Sequence, residues 1–390
     1  MATGDMADCR IEGITATGSG LAHINNGCIF VDLTAPHDLV RVRITTEQKG
    51  WARADLLEIL EPSPLRVQPV CPLCGNCGGC NLGHINYAAQ LEAKKSILLE
   101  SFIRTGGFTP PQIRVIPSPP IEYRNRVQFH TLRENRKIIG FMERRRNEII
   151  PLPDCPVADP GIRDALKNPQ KNLLKPPVQK DRFTVYSRGD VFLTEGTAGR
   201  GRILLGKKIE KEMTVDAGVF FQSNSIMLEF LLEDLIILAK KCDPGLPMAD
   251  IYCGVGTFSV FLGDFFENAV LVEENKIALG LARENTGVKK REFYAVKADD
   301  WVKQKNLAVK QWGLIVLDPP RTGLTNGIKQ FLRVCKTQAV AYVSCDPVTL
   351  ARDSRDLINS GFFLKELTLY DFYPQTSHIE SLAVFVKEDK

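Results

Sequence analysis

No apolar run in this chain approaches the roughly 20 residues a helix needs to cross a bilayer, and the start, with Asp5, Asp8 and Glu12, lacks a basic and then apolar export pattern. A cytoplasmic protein without a membrane partner is expected. Excess charge is also missing: the formal net charge is only +4, so any nucleic-acid partner must be argued from where basic residues cluster. Internal repeats and low-complexity tracts are absent. Eleven cysteines form an odd number, and without an export signal they read as thiols or metal ligands rather than as a disulfide framework.

What is present is 390 residues of ordinary globular composition, enough for two or three domains. In segment 1–64, alternating stretches such as Cys28-Ile29-Phe30-Val31 and Leu39-Val40-Arg41-Val42-Arg43-Ile44 are separated by the turns Gly18-Ser19-Gly20 and Asn25-Asn26-Gly27. That pattern predicts a small β-barrel. Its glycine-rich turn and basic strand resemble the TRAM domain, an OB-like RNA-binding module.

Segment 65–215 is expected to be a central α+β domain. Residues 87–104 have helical spacing, with Leu91, Ile97, Leu98 and Phe102 on one broad face, ending at Gly106-Gly107. Strands follow over 123–150, with Arg124, Arg126 and Gln128 on one face and Val127 and Phe129 on the other. Arg133, Arg136, Lys137, Arg144, Arg145 and Arg146 add positive charge, suited to phosphates or else to local ion pairs. A Pro-, Lys- and Asn-rich connection at 166–182 is expected to be irregular.

From 216 to 390 apolar strands alternate with helical patterns, which predicts an α/β, Rossmann-like doubly wound sheet. The last two strands, with no helix between them, predict an antiparallel hairpin at its edge. Asp250-Ile251-Tyr252-Cys253-Gly254-Val255-Gly256-Thr257 reads as a strand and a glycine turn that lets a ligand approach the backbone. Glu273, at the end of the next strand, suits the hydroxyls of a ribose, with Glu274 as the competing choice. Leu317-Asp318-Pro319-Pro320-Arg321 puts an acid at the carboxyl end of a buried strand, as in class I methyltransferases that use S-adenosylmethionine.

Cys345 sits between a buried strand and a helix that Asp346 can cap and Pro347 can begin, where the helix dipole is expected to favour the thiolate. A nucleophilic thiol and a late acid, Glu380, fit methylation at carbon-5 of uracil, with His378 as the rival base. Amine methylation needs no thiol and usually has an aromatic where Arg321 stands. Cytosine-5 enzymes carry a second cysteine, absent around Asp318.

Cys71-Pro72-Leu73-Cys74-Gly75-Asn76-Cys77-Gly78-Gly79-Cys80 offers soft ligands from a tight loop, for zinc or for an iron-sulfur cluster. Two intervening residues are few for a zinc ribbon, and the glycines let backbone wrap a larger cluster, which favours [4Fe-4S].

With these pieces, Asp154-Cys155-Pro156 and Phe220-Phe221-Gln222-Ser223-Asn224, nearly the whole chain resembles the RNA uracil-C5 methyltransferase family, in its branch with a TRAM domain and a [4Fe-4S] cluster. The resemblance implies Cys71, Cys77, Cys80 and Cys155 as cluster ligands, with Cys74 a competitor for Cys155. It implies Gln222, Tyr252, Thr257, Glu273 and Asp318 around S-adenosylmethionine and uracil, although several relatives have asparagine where Thr257 stands. Cys345 would be the nucleophile and Glu380 the base. The partner implied is RNA, 23S ribosomal RNA before transfer RNA, and a monomer is expected. Helix 87–104 would pack on the catalytic domain. A rival of another class is an iron-sulfur redox or sensor protein with a nucleotide-binding domain.

Overall fold

Alternation of apolar residues folds the N-terminal segment into a curled six-stranded sheet, order β1-β5-β6-β4-β3-β2. Its strands are β1 (Met6–Arg10), β2 (Gly13–Ile14), β3 (Gly20–Ile24), β4 (Gly27–Val31), β5 (Leu39–Gln48) and β6 (Trp51–Glu61). Val40, Val42 and Ile44 of β5 point inward to Ile29, Val31, Ala52 and Ala54, while Arg43 between them faces solvent. The structure, a computed structural model, describes residues 2–24, 27–132, 138–171, 173–178, 180–196, 199–303 and 310–387. Asn25, Asn26, Arg133, Arg136 and Lys137, named above, lie outside the described residues.

Asn86 caps α1 (Tyr87–Ser101) by accepting from the Ala89 N–H, and the helix runs through a π turn to Gly107, whose φ of 79° ends it. β7 (Ile113–Ile116) follows. The central sheet holds β8 (Arg126–Thr131), β9 (Ile139–Met142), β10 (Ile149–Pro151), β11 (Arg182–Arg188) and β12 (Val191–Thr194), ordered β10-β9-β8-β11-β12. Ile162 of α2 (Pro160–Lys167) packs into a core with Val127, Phe129, Phe183 and Val185. A hairpin of β13 (Arg200–Leu205) and β14 (Lys211–Asp216) then leads to α3 (Ser225–Ala239).

The remaining chain alternates: β15 (Met248–Ile251), α4 (Thr257–Leu262), β16 (Ala269–Val272), α5 (Lys276–Thr286), β17 (Arg291–Tyr294), α6 (Ala298–Trp301), β18 (Gln311–Leu317), α7 (Asn326–Val334), β19 (Lys336–Ser344), α8 (Pro347–Ile358), β20 (Phe362–Tyr370) and β21 (Glu380–Lys387). These strands and β7 form an eight-stranded sheet, order β17-β16-β15-β18-β19-β21-β20-β7. β15, β16 and most of β18 are buried on both faces, as expected for parallel strands covered by helices.

Two features correct the sequence expectation. The closing hairpin is not at the sheet edge: β21 inserts antiparallel between β19 and β20, and β7 pairs in parallel with β20 outside it. The edge strand therefore comes from residues 113–116, which had been assigned to the central domain. Ile97, Leu98 and Phe102 of the preceding helical stretch share a core with Leu350, Ala351 and Leu367, so this stretch packs on the C-terminal sheet. Among the described residues no helix is long and apolar enough to cross a membrane.

Candidate active site

The strand order reverses around β15, and the crevice at the carboxyl ends of β15 and β18 is where open α/β sheets bind ligands. It is a cavity of about 760 Å³. Tyr252, directly after β15, has a φ of 68°, and Gly254 and Gly256 have φ of 53° and 81°, so the chain turns sharply away from the strand. Gly256 is constrained twice, since a Cβ there would also lie 3.0 Å from that of Ala282 on α5. Glu273 bridges the turn, accepting from the Gly254 N–H at 3.1 Å and the Asn275 N–H at 2.8 Å. Glu274 lines the cavity too, just ahead of the Asn275 cap rather than inside the helix.

Gln222 and Thr257 complete this half. Gln222 is buried, and its Oε1 has no hydrogen-bond partner although it lines the cavity.

The other half is assembled by sheet register. Ser344 of β19 pairs with Ser381 of β21, which brings Cys345 and Glu380 to the same end of neighbouring strands, and both line the cavity with Asp318. Asp346 caps α8 as expected, accepting from the N–H groups of Val348 and Thr349. The expected thiolate is not favoured. Burial, followed by Glu380 and Asp318, pushes the Cys345 thiol up to about 12, against the pull of Arg321. The capping carboxylate has already taken the helix N–H groups that could have stabilised a thiolate.

Glu380 is also raised well above the ordinary carboxyl range, by burial and then by Asp318. Asp318 is pushed upward by burial and by Asp250 beneath it. Two buried carboxyls side by side hold a proton more firmly than either would alone. His378 goes the other way: burial and nearby cations lower it to about 4. A carboxylate of raised pKa is the stronger base of the two rivals.

The sequence model of the tRNA (uracil-5-)-methyltransferase family matches residues 204–388. An RNA methyltransferase of Treponema denticola, uncharacterised, is 32% identical over 95% of this chain and 96% of its own. The chain belongs to the RNA uracil-C5 methyltransferase family. A 23S rRNA (uracil(1939)-C(5))-methyltransferase of Vibrio cholerae is 28% identical, covering 97% of this chain and 95% of its own. Among solved structures, a Pyrococcus abyssi tRNA (uracil-54, C5)-methyltransferase in complex with S-adenosyl-L-homocysteine shares the fold, with a TM-score of 0.73, 24% identity and coverage of 97% of this chain and 100% of that one.

Sequence reasoning left several residues of this methyltransferase's cavity out of the site. Arg124, Arg126 and Gln128 line it from the central domain, and Tyr373 lines it from the segment between β20 and β21. The alternation of β8 was the available signal for the first three: Val127 and Phe129 are buried, so their neighbours point outward. Arg126 also lies over the exposed ring of Phe220, 5.6 Å from its centre. Arg144 and Arg145 are engaged otherwise. Arg145 pairs with Asp55 at 2.6 Å and Asp32 at 3.5 Å, and Arg144 with Asp32 at 3.7 Å, so they tie the N-terminal sheet to the cysteine loop region.

Elsewhere in the methyltransferase, Cys71, Cys74, Cys77, Cys80 and Cys155 line a second cavity of about 50 Å³, walled by Leu73, Phe141, Leu152 and Val157. Burial and then Cys155 push Cys80 up to about 12, against the pull of Arg124 and with smaller contributions from Cys77 and Cys71. Burial, then Cys71 and Cys77, raise Cys74 too, against Arg144. Among the described residues no group of three or more His, Cys, Asp or Glu is gathered as ligands of a metal ion.

Proposed function

We propose that this protein methylates carbon-5 of a uridine in RNA, with 23S ribosomal RNA as the preferred class. The observation that carries the reading is the register that sets Cys345 beside Glu380 on one cavity with the glycine turn of β15. Carbon-5 of uracil is a weak nucleophile. Cys345 gives up its thiol proton to solvent and its sulfur adds to carbon-6, moving the electron pair of the ring double bond toward carbon-5 and the carbon-4 carbonyl; carbon-5 then takes the methyl group as the methyl–sulfonium bond breaks and leaves a neutral thioether. Glu380 next removes the proton from carbon-5, the double bond re-forms, and the carbon–sulfur bond breaks to release Cys345. The base must leave any stacked helix to reach these groups.

S-adenosylmethionine supplies the methyl group. The residues proposed to hold it are Tyr252 and Thr257 at the turn and Glu273 for the ribose hydroxyls. Gln222 and Asp318 line the same cavity as that turn and Cys345, and Gln222 has an unmet acceptor there. Arg124, Arg126 and Gln128 suit the phosphates and edges of the strand that carries the target. The N-terminal curled sheet is read as a TRAM-like RNA-binding module. A [4Fe-4S] cluster on Cys71, Cys77, Cys80 and Cys155 is supported by their lining one cavity with an apolar wall. Soft thiolates suit iron-sulfur chemistry, and the cluster is read as holding the central domain together.

Incubation with methyl-labelled S-adenosylmethionine and unmodified RNA is expected to give 5-methyluridine in 23S ribosomal RNA. Label confined to transfer RNA would move the target to that class; label at nitrogen would overturn the reaction. The cluster has its own test. Anaerobically purified protein should be brown, and Cys155→Ser should weaken that absorbance more than Cys74→Ser; the reverse order would exchange the fourth ligand.

A further inference from the structure

The segment 371–379 between β20 and β21 forms a wall of both cavities. Tyr373, His378 and Ile379 face the active site, and Gln375 faces the cysteines. The β19–β21 ladder ends at Ser344 and Ser381, directly beside Cys345, and Glu380 pairs with Tyr370 of β20, but the strap between Tyr370 and Glu380 lies outside both ladders and is held by residues far away in sequence.

Asn81, which directly follows Cys80, makes the densest set of these contacts. Its backbone N–H and that of Leu82 donate to the Gln375 carbonyl at 3.1 and 2.9 Å. Its Oδ1 accepts from the Ser377 N–H at 2.8 Å, and its Nδ2 donates to Ser377 Oγ at 3.1 Å and to the Thr17 carbonyl at 3.0 Å. Ser377 Oγ in turn donates to the Ala16 carbonyl at 3.0 Å. The turn of the N-terminal sheet closes tightly on this point, because a Cβ at Gly18 would lie 2.0 Å from Asn81 Nδ2. Gln375 itself has a φ of 67°, a conformation that a non-glycine residue keeps only when its surroundings impose it.

We propose that Asn81 is a positioning residue for capture of the target base, an inference that rests on the uracil reading above. By joining the cysteine loop, the N-terminal sheet and the strap, it sets Tyr373 and His378 as the wall against which the extruded base is received. The bond-making pair is anchored separately. Removing Asn81 therefore weakens base capture and leaves the chemical step close to its original rate.

The test uses the full holoenzyme and RNA carrying 5-fluorouridine, whose carbon-5 fluorine cannot be lost as a proton, so the Cys345 adduct persists and can be counted. Asn81→Ala is expected to raise the RNA concentration at half-maximal adduct formation about tenfold, for the loss of three side-chain hydrogen bonds. The maximal rate should stay within about threefold, and S-adenosylmethionine binding should be unchanged. Asn81→Asp keeps the acceptor for the Ser377 N–H and should recover part of the loss.

Ser377→Ala removes a smaller part of the knot and should give a shift of about threefold; it decides the matter if Asn81→Ala does not fold. Added to Asn81→Ala it should cost little more, because the two share their bonds. An unchanged half-saturation, a fall confined to the maximal rate, or a parallel loss of S-adenosylmethionine binding would each overturn the proposal. A wild-type enzyme that forms no adduct at all would instead sink the uracil reading.

Discussion

Cys345→Ala is expected to lower methyl transfer at least about 10⁴-fold, and Glu380→Gln to halt the reaction one step later with RNA covalently attached to the protein. The difference follows from what each residue does to carbon-5. Without the thiol, nothing loads electrons onto the ring, so neither methylation nor adduct forms. Without the carboxylate, methylation still occurs, but the carbon-5 proton stays and Cys345 cannot be expelled. A denaturing gel should show the retarded protein–RNA band for Glu380→Gln only. Absence of that band from a folded variant would remove Glu380 as the base and return the role to His378.

The pH dependence sharpens the same prediction. Burial holds the thiol up near 12, so at neutral pH only a small fraction is thiolate. That fraction grows about tenfold per pH unit below the thiol pKa, and adduct formation should rise accordingly between about pH 7 and 9. Glu380, raised in the same direction, also gains its basic form as pH increases. Both groups push the profile upward with pH. A rate that falls with pH over that range would require a different proton inventory.

Local chemistry was legible in the sequence because it needs only neighbours. The strand and glycine turn around Gly254 and Gly256 and the cap of α8 by Asp346 appear where the residues called for them. The residues expected around the cofactor and uracil, from Gln222 to Glu380, line one cavity. What could not be read depends on partners distant in the chain. Nothing in Ile113–Ile116 marks it as the mate of β20, because a short apolar strand fits any parallel edge. The run Arg144, Arg145 and Arg146 suits phosphates or local ion pairs, and what engages the first two, Asp32 and Asp55, lies far off in the N-terminal segment. The Cys345 thiolate was misjudged for a related reason: dipole and cap are local, but the carboxyls that oppose ionisation arrive from β18 and β21.

Another partnership between residues distant in the chain should have the largest effect on stability. Lys94 of α1 is wholly buried, its Nζ donating to Asp371 Oδ1 at 2.5 Å and to the Tyr373 carbonyl at 2.9 Å. Tyr87 donates to the other oxygen of Asp371 at 2.8 Å. Burial draws the lysine below its ordinary range while Asp371 opposes the shift, so the ion pair persists only because each charge answers the other. Lys94→Met keeps the stem packed but strands a carboxylate with a single phenol for company, and should cost about 3–5 kcal/mol in chemical denaturation. Converting Asp371 to Asn in the same chain should recover much of that loss, since the stranded charge is the main cost. A loss below about 1 kcal/mol for Lys94→Met would mean that water reaches the pair. Because Asp371 begins the strap that carries Tyr373 and His378, partial unfolding in Lys94→Met should weaken base capture before it disturbs the β19–β21 ladder, which ends at Ser344 and Ser381 beside Cys345 and Glu380.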